Sequence, residues 1–424
     1  MSTRELQIVE RARKFKHEAL TNLNQYIDLE LLAESFGSLN KKSSAGVDGE
    51  VWLSYKQKSA SRLPELLSEF KSGRYKAPAI RRVLIPKGKN GKRPLGIPTI
   101  EDKIVQESVR RILNPIYEEE FKGFSYGFRR GYSTHQAINY MFKEISFKNL
   151  HYIIDADIKG YFDNISHEFL REFLDCRVRD GVIRKMIDKW LKAGILEDKT
   201  IRYPEKGTPQ GGLISPLLSN IYLHYVLDIW FTEQIQPLLS GRSFIVRYAD
   251  DFVLGFENLH EAERVMKVLP KRFGKYKLEL HPEKTKIVNL ENKRKDGERG
   301  FEFLGFTHYL GKSRKGKMVL KRKTSSKKFT VALEKVQTWI KTNRHTKLKE
   351  LIPKVNAKLR GHYNYYGITF NSKGISRFYR EVTCILRKWL NRRGGKSRWN
   401  WEKFWKLINE WNPLCKPKIY HQLK

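Results

Sequence analysis

Two segments of the chain have the apolar and polar patterns of β-strands, and both carry aspartates. In residues 244–256 (FIVRYADDFVLGF), two β-branched-rich apolar runs flank Asp250 and Asp251, which predicts a hairpin with the acidic pair at its tip. Residues 152–158 (YIIDADI) predict a second strand that ends near Asp157. If the two strands lie side by side, the three aspartates form one acidic pocket. An acidic pair at a hairpin tip is otherwise an ordinary solvated turn.

The rest of the chain divides into helical and hairpin patterns. Residues 1–75 and 101–119 show helical periodicity, whereas residues 80–100 form two alternating runs around a Lys/Gly/Asn turn, which is typical of a hairpin. After about residue 289 the chain becomes basic and helical, and apolar positions recur at helical spacing over residues 348–378. This mixture predicts an α+β fold.

Charge narrows the choice of partner. The 424 residues include 83 Lys and Arg against 46 Asp and Glu, a formal net charge of +37, which favours a polyanionic partner. Hydrophobic residues at 40% and aromatic residues at 12% indicate a folded protein. No apolar run approaches the roughly 20 residues of a spanning helix, and the amino terminus lacks a signal-peptide core. We therefore expect a soluble, cytoplasmic protein that holds nucleic acid and has no membrane partner.

Cysteine and histidine offer no metal-binding pattern. The three cysteines, Cys176, Cys384 and Cys415, form no CxxC pair, and the eleven histidines show no zinc spacing. Small buried side chains are the simpler interpretation of these cysteines. Metal chemistry in this chain is therefore expected to use oxygen ligands, which suit hard divalent cations.

Three carboxylates in one pocket suit phosphoryl transfer. Such a pocket holds two hard cations about 3.5–4 Å apart, which activate an attacking oxygen and stabilise a leaving one. Lys87 and Arg93, in the first hairpin, are cations suited to a triphosphate, although a solvated turn is the alternative. Residues 206–227 place glycines before a helix that we expect to be capped by Ser215. Such an arrangement can bind a phosphate or a sugar at the start of the helix. The alternative is a purely structural turn before a helix.

Eight motifs resemble those of bacterial group II intron reverse transcriptases, and they follow one another along the chain in the same order as in that family. They are RRVLIPK (81–87), RPLGIPT (93–99), SYGFRRG (125–131), DADIKGYFD (155–163), GTPQGGLISPLLSN (207–220), RYADD (247–251), LHPEKTK (280–286) and FLGF (303–306). In addition, KLRGHYNYYG (358–367) resembles the maturase region of intron-encoded proteins. The resemblance runs from about residue 40 to about residue 395.

The resemblance implies a right-hand polymerase of the α+β class, with an antiparallel palm sheet and an α-helical thumb. Residues 1–150 would form an amino-terminal extension and fingers, and residues 151–295 the palm with the aspartates. Residues 296–395 would form the thumb or maturase domain, followed by a short basic tail over residues 396–424.

The resemblance also assigns the aspartates. Asp157, Asp250 and Asp251 match the family's metal-binding triad, with the backbone carbonyl of Ile158 as a further ligand. The implied cofactor is a pair of Mg²⁺ ions, for which Mn²⁺ is a possible substitute. Asp155 is a structural companion on the same face and has no catalytic role in this interpretation.

Other matched residues face the nucleotide. Phe162 matches the bulky residue that blocks a ribose 2′-hydroxyl, although ordinary packing also explains a phenylalanine there. Gln210 matches a residue that lies along the incoming nucleotide. Lys284 is the candidate proton donor to pyrophosphate, with Lys286 as its rival. The full set expected to bind a deoxynucleoside triphosphate is Lys87, Arg93, Ile158, Phe162 and Gln210.

The basic carboxyl-terminal third is expected to bind nucleic acid. The implied partners are an RNA template, intron RNA and a DNA primer or target. Five tryptophans after residue 386 suit a helical core, while nearby arginines leave base stacking open as the alternative. The residues expected to contact nucleic acid are Lys354, Lys358, Arg360, Arg392 and Arg393.

The leading hypothesis is an RNA-directed DNA polymerase that is also a splicing maturase, in a bacterial cytoplasm near nucleoid or ribonucleoprotein. Because no paired cysteines follow the maturase-like region, we expect a form that lacks the endonuclease. One alternative is a domesticated relative that acts in DNA repair or phage defence without an intron. Another is an RNA-binding splicing factor with a vestigial polymerase site. An intact acidic triad disfavours the last, because carboxylates without metal repel RNA.

Overall fold

The computed structural model describes residues 2–87, 91–197, 200–208, 211–291, 300–394, 399–411 and 413–423, apart from the side chains at 87 and 411. Fourteen α-helices and eleven strands occur along this part of the chain, so the predicted α+β class is confirmed. The chain divides into two compact units. Unit 1 comprises Met1–Ala137, Ala156–Leu254 and Leu259–Lys286, and unit 2 comprises Ile138–Asp155, Gly255–Asn258 and Ile287–Lys424.

The α-helices of the described chain have the following bounds. They are α1 Thr3–Lys14, α2 Leu29–Ser38, α3 Trp52–Lys71, α4 Ile100–Glu118, α5 Thr134–Lys148, α6 Tyr161–Asn164, α7 His167–Asp175, α8 Gly181–Leu191, α9 Ser215–Leu223, α10 Leu259–Lys275, α11 Ser326–Asn343, α12 Leu348–Tyr366, α13 Ser372–Leu390 and α14 Trp401–Trp411. In that part of the molecule, no helix is both long and apolar enough to cross a membrane.

The strands form three sheets. They are β1 Ile80–Lys87, β2 Gly91–Ile97, β3 Tyr152–Ala156, β4 Ile195–Glu197, β5 Thr200–Arg202, β6 Ser243–Tyr248, β7 Asp251–Phe256, β8 Lys286–Asn289, β9 Phe301–Phe303, β10 Phe306–Lys312 and β11 Met318–Thr324. Their orders are β2-β1-β4-β5, β6-β7-β3-β8 and β11-β10-β9. The β1–β2 hairpin is antiparallel, with Arg81 opposite Ile97 and Lys87 opposite Gly91, as its turn residues predicted.

The sheet that contains both acidic segments is buried on its two faces. Ile153 and Ile154, neighbours on β3 that point to opposite faces, are both fully buried. Val253 and Leu254 on β7 are buried in the same way. Asp251 lies at the beginning of β7 and Asp157 just past the end of β3, and these are the two central strands of the sheet.

The helix after the glycine-rich segment departs from the sequence prediction in two ways. Helix α9 begins at Ser215 rather than after it. Its N-cap residue is Ile214, whose side chain makes no capping hydrogen bond. The helix then widens into π-helical stretches at His224–Asp228 and Trp230–Ile235. The apolar spacing predicted an uninterrupted α-helix, and the spacing contains no signal for the extra residue of a π-turn.

Helices α11 to α14 of unit 2 enclose an apolar core. Leu351, Val355 and Leu359 of α12 are fully buried in it. Trp389, Trp399 and Trp405 pack partly buried against the same core. The core interpretation therefore holds for these three tryptophans, whereas Trp401 is 41% exposed.

Candidate active site

The acidic turn lies between β6 and β7, where the sequence predicted it. Ala249 and Asp250 form the turn and Asp251 begins β7. β7 neighbours β3, and Asp157 follows the end of β3 by one residue. Burial raises the pKa of the Tyr161 phenol well above its usual value, and the charge of Asp250 contributes to the same shift. The structure thus brings the segment after Asp157 to the Asp250 turn.

Asp157 is held in a small network of its own. Its carboxylate accepts a hydrogen bond from Lys284 Nζ at 2.7 Å, and its backbone oxygen accepts one from His281 N at 2.7 Å. Ile158 forms an isolated antiparallel bridge with Leu280. Within the described ranges, no group of three or more acidic, histidine or cysteine side chains is arranged to hold a metal ion. The Asp157 carboxylate is instead paired with the ammonium group of Lys284.

Phe162 and the glycine-rich segment are joined by backbone hydrogen bonds. Thr208 N donates to the Phe162 oxygen at 2.8 Å, and Gly207 N donates to the Ile165 oxygen at 2.7 Å. Gly207 has a φ of +90°, and a Cβ there would lie 3.0 Å from the Phe162 oxygen. The Phe162 side chain is 8% exposed and packs edge-on against Tyr161. The start of the glycine-rich segment, which is predicted to bind a nucleotide, is thus held against the backbone of Phe162.

The same segment also reaches the first hairpin. Gly211 has a φ of +117°, and a Cβ there would lie only 2.2 Å from the backbone oxygen of Gly96 on β2. Arg93, exposed on the same strand, is opposite Ile85. Gln210 and the side chain of Lys87 lie outside the described residues. Of the predicted nucleotide contacts, the structure therefore brings together the Phe162 region, the glycine-rich segment and the strand of Arg93.

A cavity of about 190 Å³ lies where these parts meet. Arg82, Gly96, Asp163, Lys206 and Gly207 are among its lining residues. Two cations against one carboxylate give its wall a positive balance. The cavity lies in unit 1, beside the segment that carries Phe162.

Sequence reasoning missed a buried polar network behind the acidic turn. Arg247 and Asp228 are both fully buried and form an ion pair, with Nη2 of Arg247 2.5 Å from Oδ2 of Asp228. Asn220 Oδ1 accepts a second Arg247 hydrogen bond at 2.9 Å. An arginine inside the apolar run FIVRY was the available signal, since a buried charge requires a partner.

The predicted nucleic-acid contacts lie on the helices of unit 2. Lys354 and Arg360 are exposed on α12, whereas the Lys358 ammonium lies 4.4 Å from the Trp339 ring centre. Arg392 is exposed next to Trp389, while Arg393 donates to the Thr346 oxygen at 2.8 Å. Arg393 therefore connects the end of α13 to the residues just before α12, in addition to any contact with a ligand.

Comparison with known families matches both units. Residues 85–308 match the reverse transcriptase (RNA-dependent DNA polymerase) family, and residues 330–405 match the group II intron, maturase-specific domain. The first range contains the acidic turn, Asp157 and the glycine-rich segment. The second contains helices α12 and α13 with the exposed basic residues.

Similar proteins cover between 44% and 77% of this chain. The group II intron-encoded protein LtrA of Lactococcus lactis subsp. cremoris is 30% identical over 412 residues, which covers 77% of this chain and 67% of that protein. Protein YkfC of Escherichia coli (strain K12) is 35% identical over 308 residues, covering 64% of this chain and 78% of that protein. An uncharacterized 91 kDa protein in the cob intron of Schizosaccharomyces pombe is 41% identical over 185 residues, 44% and 22% of the two chains.

These matches confirm the family, the enzyme class and the fold class inferred from the motifs. The mixed α+β part agrees with a reverse transcriptase palm, and the helical region agrees with a thumb. Both matched domains imply RNA as a partner. The chain belongs to the group II intron-encoded reverse transcriptases, and it is an RNA-directed DNA polymerase with a maturase-specific domain.

Proposed function

We propose that DNA synthesis takes place at Asp157, Asp250 and Asp251, which hold two Mg²⁺ ions together with the backbone carbonyl of Ile158. Reverse transcriptases generally use divalent metals, and Mn²⁺ is a possible substitute for Mg²⁺. Bound there, the ions supply activation of the primer 3′-oxygen and stabilisation of the leaving pyrophosphate. The observation that carries this proposal is the meeting of the segment after Asp157 with the Asp250 turn.

The donor set fits such ions. Carboxylate and carbonyl oxygens are the ligands preferred by Mg²⁺. The Asp157 carboxylate already attracts a cation in the structure, the ammonium group of Lys284 at 2.7 Å. Asp157 is 37% exposed at its side chain, so its carboxylate remains accessible from solvent. A carboxylate that is accessible and paired with a lysine can exchange that partner for a metal ion.

Lys284 has a second role in the proposal. We place it as the proton donor to the departing pyrophosphate, because its flexible side chain reaches the carboxylate that would hold a metal. Lys286, two residues later, is exposed at the start of β8 and remains the rival donor. The Lys284 contact with Asp157 favours the first.

The deoxynucleoside triphosphate would lie between the glycine-rich segment and the β1–β2 hairpin. Lys87 and Arg93 would bind its phosphates, and Gln210 would lie along it. Phe162 would exclude a ribose 2′-hydroxyl by bulk. The close approach of Gly211 to Gly96 supports this site, because it joins the two elements that carry these residues.

The helices of unit 2 would bind the intron RNA that the maturase acts on, and the DNA primer or target would reach the polymerase site with the RNA template. Exposed cations on α12 and at the end of α13 support this proposal. These are Lys354, Arg360 and Arg392, with Lys358 and Arg393 partly packed against neighbouring groups.

Asp250→Asn tests the site. With Mg²⁺, a primed RNA template and deoxynucleotides, the variant should make about 10²- to 10³-fold less cDNA, because one metal-binding charge is lost. Glu263→Gln removes an exposed carboxylate on α10 and is the matched control, with no expected change. Synthesis by the Asn variant at the level of the control would exclude Asp250 from the reaction.

A further inference from the structure

A buried polar network lies directly behind the acidic turn. We propose that Arg247, Asp228 and Asn220 act as positioning residues that fix the backbone of the turn and so aim the carboxylates of Asp250 and Asp251. The inference rests on the proposed function, because it takes these two aspartates as the metal-binding groups. None of the three network residues would contact substrate or metal itself.

Arg247 is the centre of the network and is fully buried. Its guanidinium donates to both carboxylate oxygens of Asp228, at 2.8 Å from Nε and 2.5 Å from Nη2. Its Nη1 donates to Asn220 Oδ1 at 2.9 Å and to the Ala249 backbone oxygen at 3.1 Å. A forked guanidinium pair of this kind fixes orientation as well as charge. The fourth bond ends on the residue immediately before Asp250.

The turn needs such a bond because its backbone is strained. Ala249 has a φ of 58°, in the left-handed region that a non-glycine residue occupies at a cost of about 1–2 kcal/mol. Strain of this kind persists only where the surrounding structure holds it. The Arg247 hydrogen bond to the Ala249 oxygen supplies one such restraint.

A second restraint comes from the segment of residues 124–127. Arg247 N donates to the Phe124 oxygen at 3.0 Å, and Tyr126 N donates to the Arg247 oxygen at 2.8 Å. A Cβ on Gly127 would lie 2.2 Å from the backbone nitrogen of Ala249, so the two backbones are in direct contact. Asn220 joins both restraints, since its Nδ2 donates to the Gly127 oxygen at 2.7 Å.

Asp228 reaches Arg247 from a π-helical stretch. The backbone N–H of Ile229 donates to the His224 oxygen, five residues back, which is the hydrogen-bond pattern of a π-turn. The extra residue changes the direction in which the following side chains point. Since π-turns often occur at functional sites, the interruption of this helix next to a catalytic turn agrees with a positioning role.

If the network served stability alone, its variants would differ from wild type in stability and not in catalysis. Loss of a buried ion pair destabilises any protein, so lowered stability alone does not identify positioning. Displaced carboxylates would instead lower kcat and weaken Mg²⁺ activation, while nucleotide and primer–template binding stay unchanged. A shift of about 1 Å at reacting groups costs as much as 10²-fold in rate.

The experiment compares Arg247→Lys and Asp228→Asn with Arg177→Lys in the full-length protein. Arg177 is a matched control, because it is 3% exposed and donates to backbone oxygens of Ala12 and Phe15. Each protein is assayed well below its unfolding temperature for kcat, for KM of deoxynucleotide and for the Mg²⁺ concentration giving half-maximal rate. Asn220→Ser, which removes bonds to Arg247 and Gly127 but no charge, replaces either variant that fails to fold.

We expect kcat to fall about 10- to 100-fold in the network variants, with a several-fold higher Mg²⁺ requirement and unchanged KM. Arg177→Lys should lose stability only. Wild-type kcat and Mg²⁺ dependence in the network variants would overturn the inference, as would an equal fall of kcat in Arg177→Lys. Full activity of Asp250→Asn would instead overturn the proposed function, so the two failures are distinguishable.

Discussion

Two fully buried arginines, one in each unit, differ in the groups that surround their guanidinium. Arg247 in unit 1 has a carboxylate, an amide and a backbone oxygen around its guanidinium. Arg322 on β11 donates one hydrogen bond, from Nη2 to the Leu320 oxygen at 3.1 Å. Its Nε and Nη1 are without a hydrogen-bond partner in the described part of the chain, and its charge faces the rings of Phe142 and Phe370. Burial lowers the pKa of Arg322 to about 9.

The difference separates two uses of charge. In unit 1 the buried charge of Arg247 is compensated, and the geometry of its guanidinium is fixed on several sides. In unit 2, the described groups that face the Arg322 guanidinium are one backbone oxygen and two aromatic rings, and exposed cations lie outside an apolar helical core. Small changes to buried groups should therefore affect chemistry in unit 1, while surface charge should affect RNA binding in unit 2.

The largest expected difference between the two units comes from replacing each arginine by methionine. Arg247→Met leaves the Asp228 carboxylate buried without its main partner, which should cost about 3–5 kcal/mol of unfolding free energy. Arg322→Met removes a desolvated charge and keeps much of the packing volume. Its unfolding free energy should stay within about 1 kcal/mol of wild type, or rise. Denaturant unfolding of the two full-length variants checks both values.

Equal destabilisation by the two substitutions would contradict this difference between the units, because it would mean that the surroundings of Arg322 stabilise its charge as well as those of Arg247 do. The double variant Arg247→Met with Asp228→Leu is the matched control. Removing both charges should recover part of the stability lost in Arg247→Met alone.

The sequence predicted the strands and the turn correctly because local signals are strong there. Asp250 and Asp251 interrupt two apolar runs, and turn chemistry fixes the β1–β2 hairpin. The Arg247–Asp228 pair was not predicted, since its members are 19 residues apart and meet only through packing. The π-turn that presents Asp228 was missed because apolar spacing does not distinguish it from an α-helix.

The candidate site was predicted in the same uneven way. The resemblance supplied Asp157, Phe162 and the glycine-rich segment as parts of one site, and the structure brings these regions together. The ammonium of Lys284 on Asp157 was not expected, because a sequence contains no information on which cation a carboxylate meets first. The close contact of Gly211 with Gly96 was likewise beyond the sequence, since it joins distant segments.

A smaller effect is expected from the exposed cations of unit 2. Lys354→Ala combined with Arg360→Ala removes two charges from α12 without disturbing its buried face. If both contact phosphates, RNA affinity should fall and the slope of log K against log[salt] should decrease by about 2. At saturating primer–template, kcat should not change. Filter binding to structured intron RNA at several salt concentrations provides the measurement.

Lys267→Ala, an exposed lysine on α10 in unit 1, is the control for this prediction. A salt slope equal to that of wild type in the double variant would mean that α12 does not contact RNA phosphates. A reduced kcat at saturation would contradict the separation between the two units. Either result would mean that surface charge in unit 2 does not act on RNA binding alone.

The smallest effect at neutral pH is expected at His308, which lies buried next to Arg322. Burial, followed by the charge of Arg322, lowers the pKa of His308 to about 3. Because the unfolded chain binds a proton near pH 6.5 and the folded chain does not, stability present above pH 6.5 is lost as the pH falls toward 3. Between pH 7 and pH 5 the loss should be about 2 kcal/mol.

His308→Gln removes this titration and keeps a group able to donate to the Phe303 oxygen, which the imidazole contacts at 3.2 Å. The variant should therefore lose less stability than wild type on acidification, as measured by thermal unfolding at pH 7, 6 and 5. His345→Gln, at an exposed position, should follow wild type. Identical acid sensitivity of His308→Gln and wild type would show that His308 accepts a proton in the folded state.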